Sequence, residues 1–296
     1  MKKFNVGILG TENSHANVFC KAFNVIGENG SSQYPDFNVN LAYGEYPESN
    51  KKLVDRFTTV EIANSIDEMV DKVDCAMVTS RDGKHHARLA MPFIKAGKPC
   101  FIDKPFTNGV EDALLLLKTA KETGAVVCGG SSLKYNEHVL ALKKAKEEMG
   151  EKFHCGYMSA PIDYKSEYGG FWFYAAHLAE MCMEIFGFNP KAVVATINND
   201  SVHAIVEYDK YSITLDFAEK CPFTYCGLVT GEEKTVYKDI ELDYTFRSEI
   251  DVFEKVVKEK VMPHSYEELL APIVMLEAII KSYETGKRVE IIYPEI

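Results

Sequence analysis

The sequence predicts an α/β chain of two domains, a parallel, doubly wound sheet followed by an α+β domain with a mostly antiparallel sheet. Three observations predict it. In the first 130 residues, short apolar runs rich in β-branched residues alternate with segments of helical period, the pattern of parallel strands joined by crossover helices. Further on, strands alternate apolar and polar residues, as in an antiparallel sheet with one face covered. The length of 296 residues, with 46% hydrophobic content, suits about two domains of ~150 residues and a large buried core. The boundary is placed at Gly129-Gly130, giving domains 1–129 and 130–296.

Within the first domain, strands are expected at residues 4–9, 39–43, 75–79, 99–103 and 125–128. Ser65-Ile-Asp-Glu68 and Asn108-Gly-Val-Glu111 each set a capping oxygen three residues before a glutamate, which satisfies amides that a helix start leaves orphaned. The second of these opens a helix over 111–122, stopped by Gly124. Beyond the boundary come a polar helix over 136–149, a Tyr/Gly-rich stretch and a helix over 175–186. Alternating strands over 192–197, 203–208 and 211–217 follow, then a helix over 266–283 and a last strand over 289–293.

Composition excludes several classes of function. Met1-Lys2-Lys3-Phe4 runs straight into an apolar strand, without the charged leader, apolar run and cleavage site of an export signal. No uncharged apolar stretch approaches the ~20 residues of a membrane-spanning helix. Eight cysteines are scattered without a C-x-x-C pair or a zinc-module spacing, and Cys75, Cys100 and Cys128 sit in apolar runs as small hydrophobes. A cytoplasmic protein with reduced thiols, no metal and no membrane partner is expected. A net charge of -11 repels polyanions, and no basic stripe interleaved with aromatics offsets it, so no nucleic-acid partner is expected.

The first strand turns through Gly10-Thr11-Glu12-Asn13-Ser14-His15 into an apolar helix. A turn of this kind can present helix N-terminal amides to a pyrophosphate, with glycines allowing close approach. In the pattern G-x-G-x-x-G, Gly10 takes the first place, Glu12 the second and His15 the third. A carboxylate beside a pyrophosphate is unfavourable by ~1 kcal/mol at ~4 Å even in water. A plain tight turn, with Asn13 or Ser14 capping the helix, is the alternative. Glu45, after Gly44 at the end of the second strand, is the candidate for the ribose hydroxyls; it argues for NAD(H) over NADP(H), since no partnering arginine is evident for a 2′-phosphate. A solvated loop acid is the other reading of Glu45.

More specific is the run from Val73-Asp74-Cys75-Ala76-Met77-Val78-Thr79-Ser80 through His85-His86-Ala87 to Ala96-Gly97-Lys98-Pro99 and Asp103-Lys104-Pro105. It resembles the glucose-fructose oxidoreductase / inositol dehydrogenase / MocA (Gfo/Idh/MocA) family. There a strand is followed by a histidine-bearing helix, an A-G-K motif and a Glu-Lys-Pro tripeptide. His86 matches that histidine, and Asp103-Lys104-Pro105 matches the tripeptide with Asp for Glu. A second stretch, Gly169-Gly170-Phe171-Trp172-Phe173-Tyr174-Ala175-Ala176-His177-Leu178-Ala179-Glu180, resembles the family's G-G-x-x-x-D-x-G-x-H-x-x-D helix. His177 matches the histidine and Glu180 the later acid, while Phe173 stands where the earlier aspartate would orient the histidine.

The resemblance implies a Rossmann domain that binds NAD(H) through Gly10, Thr11, Glu12, Asn13, Ser14, His15, Glu45, Thr79, Ser80, His86, Asp103 and Lys104. It implies Lys104 and His177 as catalytic and substrate-holding groups that converge from the two domains. Proline after Lys104 stops the strand and fixes the exit of the chain at the carboxyl edge of the sheet, where ligands bind in open α/β folds. An ammonium there can hold a hydroxyl or carbonyl and move a proton. Trp172 is a candidate pocket wall and Lys134 a candidate substrate contact. His177 and Glu180 alone do not make a metal site. The function implied is an NAD(H)-dependent oxidoreductase acting on a sugar, polyol or related small hydroxyl compound, assembled as a homodimer or homotetramer. Two alternatives stay open: a degenerate member serving as a small-molecule-binding or regulatory protein, and an NAD-assisted lyase or glycosidase.

Overall fold

The computed structural model describes residues 3–28, 30–242 and 245–296. Met1, Lys2, Asn29, Asp243 and Tyr244 lie outside the described residues; the first two belong to the stretch read as lacking a leader. The chain forms two compact units. The first takes 1–103, 115–129 and 250–263; the second takes 104–114, 130–249 and 264–296. Residues 250–263, expected in the second domain, therefore pack with the first, and 104–114 group with the second.

In chain order the first unit's elements are β1 (Phe4–Leu9), α1 (Ser14–Asn24), β2 (Phe37–Tyr43), α2 (Pro47–Arg56), β3 (Glu61–Ile62), α3 (Ile66–Val70), β4 (Cys75–Val78), α4 (His86–Lys95) and β5 (Cys100–Asp103). Next come α5 (Val110–Thr123) and β6 (Val127–Gly130), both of which run across a division between the units. The strands lie in the order β3-β2-β1-β4-β5-β6, and the pairs from β3 through β5 are parallel. This is a Rossmann sheet. The order reverses between β1 and β4, which marks the carboxyl ends of those strands as the place for a ligand. Ser65 caps α3 as expected, its Oγ accepting from Glu68 N at 3.2 Å.

The second unit contributes α6 (Glu137–Met149), β7 (Phe153–Ile162), α7 (Trp172–Phe186), β8 (Ala192–Asn198), β9 (Ser201–Glu207), β10 (Ser212–Glu219), β11 (Tyr225–Gly231) and β12 (Thr235–Ile240). After α8 (Thr245–Glu259) come α9 (Tyr266–Thr285) and β13 (Val289–Glu290). Its sheet runs β12-β11-β7-β10-β9-β8-β13, antiparallel except for the β7–β10 pair. Alternation is clear on β9, where Val202, Ala204 and Val206 are buried and Ile205 is exposed. Five elements were not expected from the sequence: the short β3, the long β7, the two strands of the β11–β12 hairpin and α8. The last expected strand is shorter than its apolar run, ending at Glu290.

Helix α8 places Ile250, Phe253, Val256 and Val257 one or two turns apart, a stripe that buries against the first unit's core. Phe253 is fully buried and lies 6.1 Å from the ring of Phe37 and 6.3 Å from that of Phe101. Tyr34 adds a hydrogen bond of 2.6 Å to Asp251. No helix among the described residues is long and apolar enough to cross a membrane.

Candidate functional site

In the first unit the residues expected at a cofactor gather where β1, β2 and β4 end. Gly10 has φ +103°, and a Cβ there would meet Ser80 N at 2.2 Å, so only glycine lets the β1 turn press against the end of β4. Thr79 Oγ1 fastens that contact by donating to Gly10 O at 2.8 Å. Gly44 allows an equally close approach, since a Cβ would lie 2.1 Å from Thr11 Oγ1. Thr11 Oγ1 donates to Asn50 Oδ1 at 2.6 Å, and Asn50 Nδ2 donates to Gly44 O at 2.8 Å. The result is a shallow hollow lined by Gly10, Glu12, Tyr43, Gly44, Glu45 and Ser80, among others.

Asn13 caps α1, its Oδ1 accepting from His15 N at 3.2 Å. Its amide nitrogen donates to Asp103 Oδ2 at 3.3 Å, and His15 Nδ1 lies 2.5 Å from the same oxygen. Asp103, almost wholly buried at the end of β5, thus ties the helix start to the sheet edge. Ser14 Oγ donates to Asn13 Oδ1 at 3.4 Å. Glu12 Oε1 accepts from Ser80 Oγ at 2.9 Å and from Arg81 N at 3.0 Å. These bonds hold its carboxylate on the loop after β4. His86 is fully buried, and its Nε2 lies 2.7 Å from Ser80 O, so it supports that loop from within.

Glu45 does have an arginine partner. Arg88, on α4 and 43 residues away in sequence, places Nη2 2.8 Å from Glu45 Oε1, which corrects the expectation that no arginine stands near this acid. Both side chains are about half exposed.

In the second unit, α7 organises the remaining candidates along one stripe. Lys104 is buried; its Nζ lies 3.5 Å from Phe173 O, 4.1 Å from the Phe173 ring centroid and 5.1 Å from that of Tyr174. Such placement over aromatic faces favours a cation. One turn on, His177 has its ring 5.9 Å from that of Tyr174 and 6.0 Å from that of Tyr225. Tyr174 therefore stands against both Lys104 and His177, and the two belong to the same unit rather than to opposite ones. Phe223 closes a ring of rings, 5.6 Å from Tyr174 and 5.5 Å from Tyr225. Trp172, the first residue of α7, is partly buried.

A second line of contacts comes from the short turn of 3-10 helix at Ser132–Tyr135. Ser131 Oγ lies 2.6 Å from His177 Nδ1, and Lys134 Nζ donates to Glu180 Oε2 at 2.8 Å. Both pairs span 46 residues, so the turn and α7 run in register, step for step. Gly130 makes this possible: a Cβ there would meet Glu180 Oε2 at 2.2 Å. Burial pushes the Lys134 ammonium down, but Glu180, with Tyr135 and Glu184, raises it overall above its ordinary value. Lys134, expected at substrate, is thus engaged by Glu180. A further turn along α7, Glu184 accepts from Lys143 Nζ at 2.7 Å and meets His264 Nε2 at 3.0 Å. Burial would raise the Glu184 carboxyl, but those hydrogen bonds bring it down to about 2. Among the described residues, no group of three or more His, Cys, Asp or Glu is placed to hold a metal ion.

Sequence reasoning missed Arg88, Ser131, Tyr174, Phe223 and Tyr225. Only Ser131 carried a usable signal, since it directly follows a strand of the parallel sheet on the edge where such folds bind ligands.

Residues 4–131 match the model of the Gfo/Idh/MocA family, described as an oxidoreductase family with an NAD-binding Rossmann fold. Over that stretch the chain resembles the family, and its first sheet has the Rossmann order the family model describes. Similar curated members include scyllo-inositol 2-dehydrogenase (NADP(+)) of Bacillus subtilis, 24% identical over 204 residues, and inositol 2-dehydrogenase of Rhizobium meliloti, 28% identical over 144 residues. These matches take in 64% and 45% of this chain, and 56% and 44% of those relatives' own length. Among solved members of this fold, the scyllo-inositol dehydrogenase from Lactobacillus casei with NAD(H) and scyllo-inositol has a TM-score of 0.83 at 13% identity. It covers 98% of this chain and 99% of its own. GenD2 from gentamicin A biosynthesis, in complex with NAD, gives 0.83 at 16% identity over 98% of this chain and 97% of its own. At such identities these structures speak for the fold.

Proposed function

We propose that the chain is an NAD(H)-dependent oxidoreductase that interconverts a secondary hydroxyl and a carbonyl on a small polyol, sugar or related compound. The observation that carries this reading is the placement of Lys104 and His177 against a common tyrosine, Tyr174, in a chain whose other candidates form a dinucleotide-type cradle. The cradle fits the adenosine side of a dinucleotide: two glycines hold the strand ends close, a hollow opens beside Glu45, and Glu12 is drawn onto Ser80 and Arg81 N. A bound nicotinamide supplies the acceptor or donor of hydride. In reduction the Lys104 ammonium gives a proton to the reacting oxygen; in oxidation Nζ first releases a proton to solvent, and the neutral amine then takes that of the hydroxyl. His177 holds the same oxygen, and the aromatic walls exclude water. Asp103 and Lys104 are consecutive, so the carboxylate that orders the α1 start and the proton-handling ammonium share one stretch of chain.

For the cofactor we favour NAD(H) over NADP(H), because Glu45 would repel a 2′-phosphate and engages Arg88. Self-association as a homodimer or homotetramer, through the outer face of the second sheet where Val194, Ile205 and Tyr237 are exposed, belongs to the same reading.

One observation favours a second reading, a small-molecule-binding protein without turnover: the carboxylate of Glu12 at the second glycine position of the turn. Titration with NADH followed by nicotinamide fluorescence, then a screen of cyclic polyols and sugars for NADH formation, separates the two. Saturable binding with turnover supports the dehydrogenase. Saturable ligand binding without NADH binding supports the second reading.

A further inference from the structure

We propose that Glu12 is a built-in competitor for the phosphates of a dinucleotide: its carboxylate takes hydrogen-bond donors on the loop after β4 that a pyrophosphate would use, and a dinucleotide binds only once it is displaced. The proposal rests on the cofactor reading given above and names how that same site is controlled.

In an open α/β sheet a ligand enters the crevice where the strand order reverses, and a pyrophosphate lies over the turn between the first strand and its helix. The reversal falls between β1 and β4. Glu12 stands in the turn after β1, yet its Oε1 accepts from Ser80 Oγ at 2.9 Å and Arg81 N at 3.0 Å, just past the end of β4. The side chain therefore bridges the two loops that flank the crevice, both within the first unit. Neither loop has slack. A Cβ on Gly10 would meet Ser80 N at 2.2 Å, Thr79 Oγ1 donates to Gly10 O at 2.8 Å, and His86 Nε2 lies 2.7 Å from Ser80 O.

A hydroxyl and a backbone amide converging on one anionic oxygen are the donors that also hold a phosphate oxygen. A further amide, His15 N at the start of α1, is already bonded to Asn13 Oδ1 at 3.2 Å. The second position of the glycine turn is ordinarily bare so that backbone and pyrophosphate can meet. Glutamate fills that position with a side chain of the phosphate's own sign, and Glu45 lines the same hollow. Each pair of like unit charges ~4 Å apart weakens binding about fivefold even in water. The apparent affinity falls further in proportion to the fraction of molecules in which Glu12 has left Ser80. Adenosine carries no phosphate and meets neither cost.

The test is isothermal titration of the full chain with adenosine and with ADP, in the wild type, Glu12→Gln and Glu12→Gly. In the wild type ADP should bind no more tightly than adenosine. Its affinity should rise about fivefold in Glu12→Gln, where only the charge is lost, and about tenfold or more in Glu12→Gly, while adenosine stays within about twofold. Fluorescence titration with NADH should follow ADP. A ratio of ADP to adenosine affinity that is the same in all three proteins, or lower in the variants, overturns the proposal and leaves the cofactor reading standing if NADH still binds. Failure of ADP and NADH to bind any of the three proteins overturns both. If neither variant folds, the wild-type ratio decides: ADP bound about tenfold more tightly than adenosine would show that Glu12 does not compete.

Discussion

Lys134 and Glu180 meet at 2.8 Å with 5% and 7% of their side chains exposed, one step along α7 from the contact between Ser131 and His177. A buried pair of this kind is sensitive to losing one member, because the other is left charged and unpartnered. Lys134→Met or Glu180→Leu alone should cost about 3–5 kcal/mol, whereas the double variant should recover most of that loss. Urea unfolding of the three variants gives the coupling. Additive losses would show that the pair does not act as a unit.

Lys104→Ala should reduce kcat by about 10²- to 10⁴-fold while the far-ultraviolet circular dichroism and unfolding midpoint stay near those of the wild type. Turnover within a few-fold of wild type would remove Lys104 from the chemistry and with it the mechanism.

The pair formed by Glu45 and Arg88 should set the choice of dinucleotide. Glu45→Ser removes the charge that opposes a 2′-phosphate and leaves Arg88 without that carboxylate. The ratio of NADPH to NADH affinity is then expected to rise roughly tenfold, an energy of about 1.4 kcal/mol. Isothermal titration with both dinucleotides measures it, and an unmoved ratio would place the ribose elsewhere.

Glu184 makes a prediction about acid. Hydrogen bonds from His264 and Lys143 hold its carboxyl at about 2, against an ordinary 4.5. A depressed carboxyl stabilises the fold fully above its unfolded value, and that contribution disappears as pH falls from about 4.5 towards 2. Glu184→Gln should be less stable at pH 7 by ~1–2 kcal/mol, a figure reduced for partial solvent access, and should lose stability less steeply on acidification. Parallel acid limbs for wild type and variant would refute the assignment.

The fold class was legible because it rests on local periodicity. Alternating apolar runs and helical segments report parallel strands and crossovers, and the Asp103-Lys104-Pro105 and His177 motifs needed no tertiary information. Strand β7 was not legible: Gly156 and Pro161 dilute its pattern, and its glycine is there because Phe186 Cζ would sit 2.4 Å from a Cβ. Helix α8 went unread although Ile250, Phe253, Val256 and Val257 fall at helical spacing, and such a stripe does not say which core it serves. Ser131 is marked by its place after a strand, but its partner, like that of Arg88, lies more than 40 residues away, 46 and 43 respectively, distances over which spacing carries no signal.

Phe253 has a consequence for how the chain can be built. Its ring and the Tyr34–Asp251 hydrogen bond fill the first unit from a point more than two hundred residues downstream of Tyr34. On the ribosome, the leading half of the polypeptide therefore emerges with an apolar socket whose plug has not yet been translated. At ~5–20 residues per second that interval lasts on the order of ten seconds or more. An expression fragment ending at Gly129 would carry the same open socket permanently, and a fused copy of residues 250–263 is what would close it.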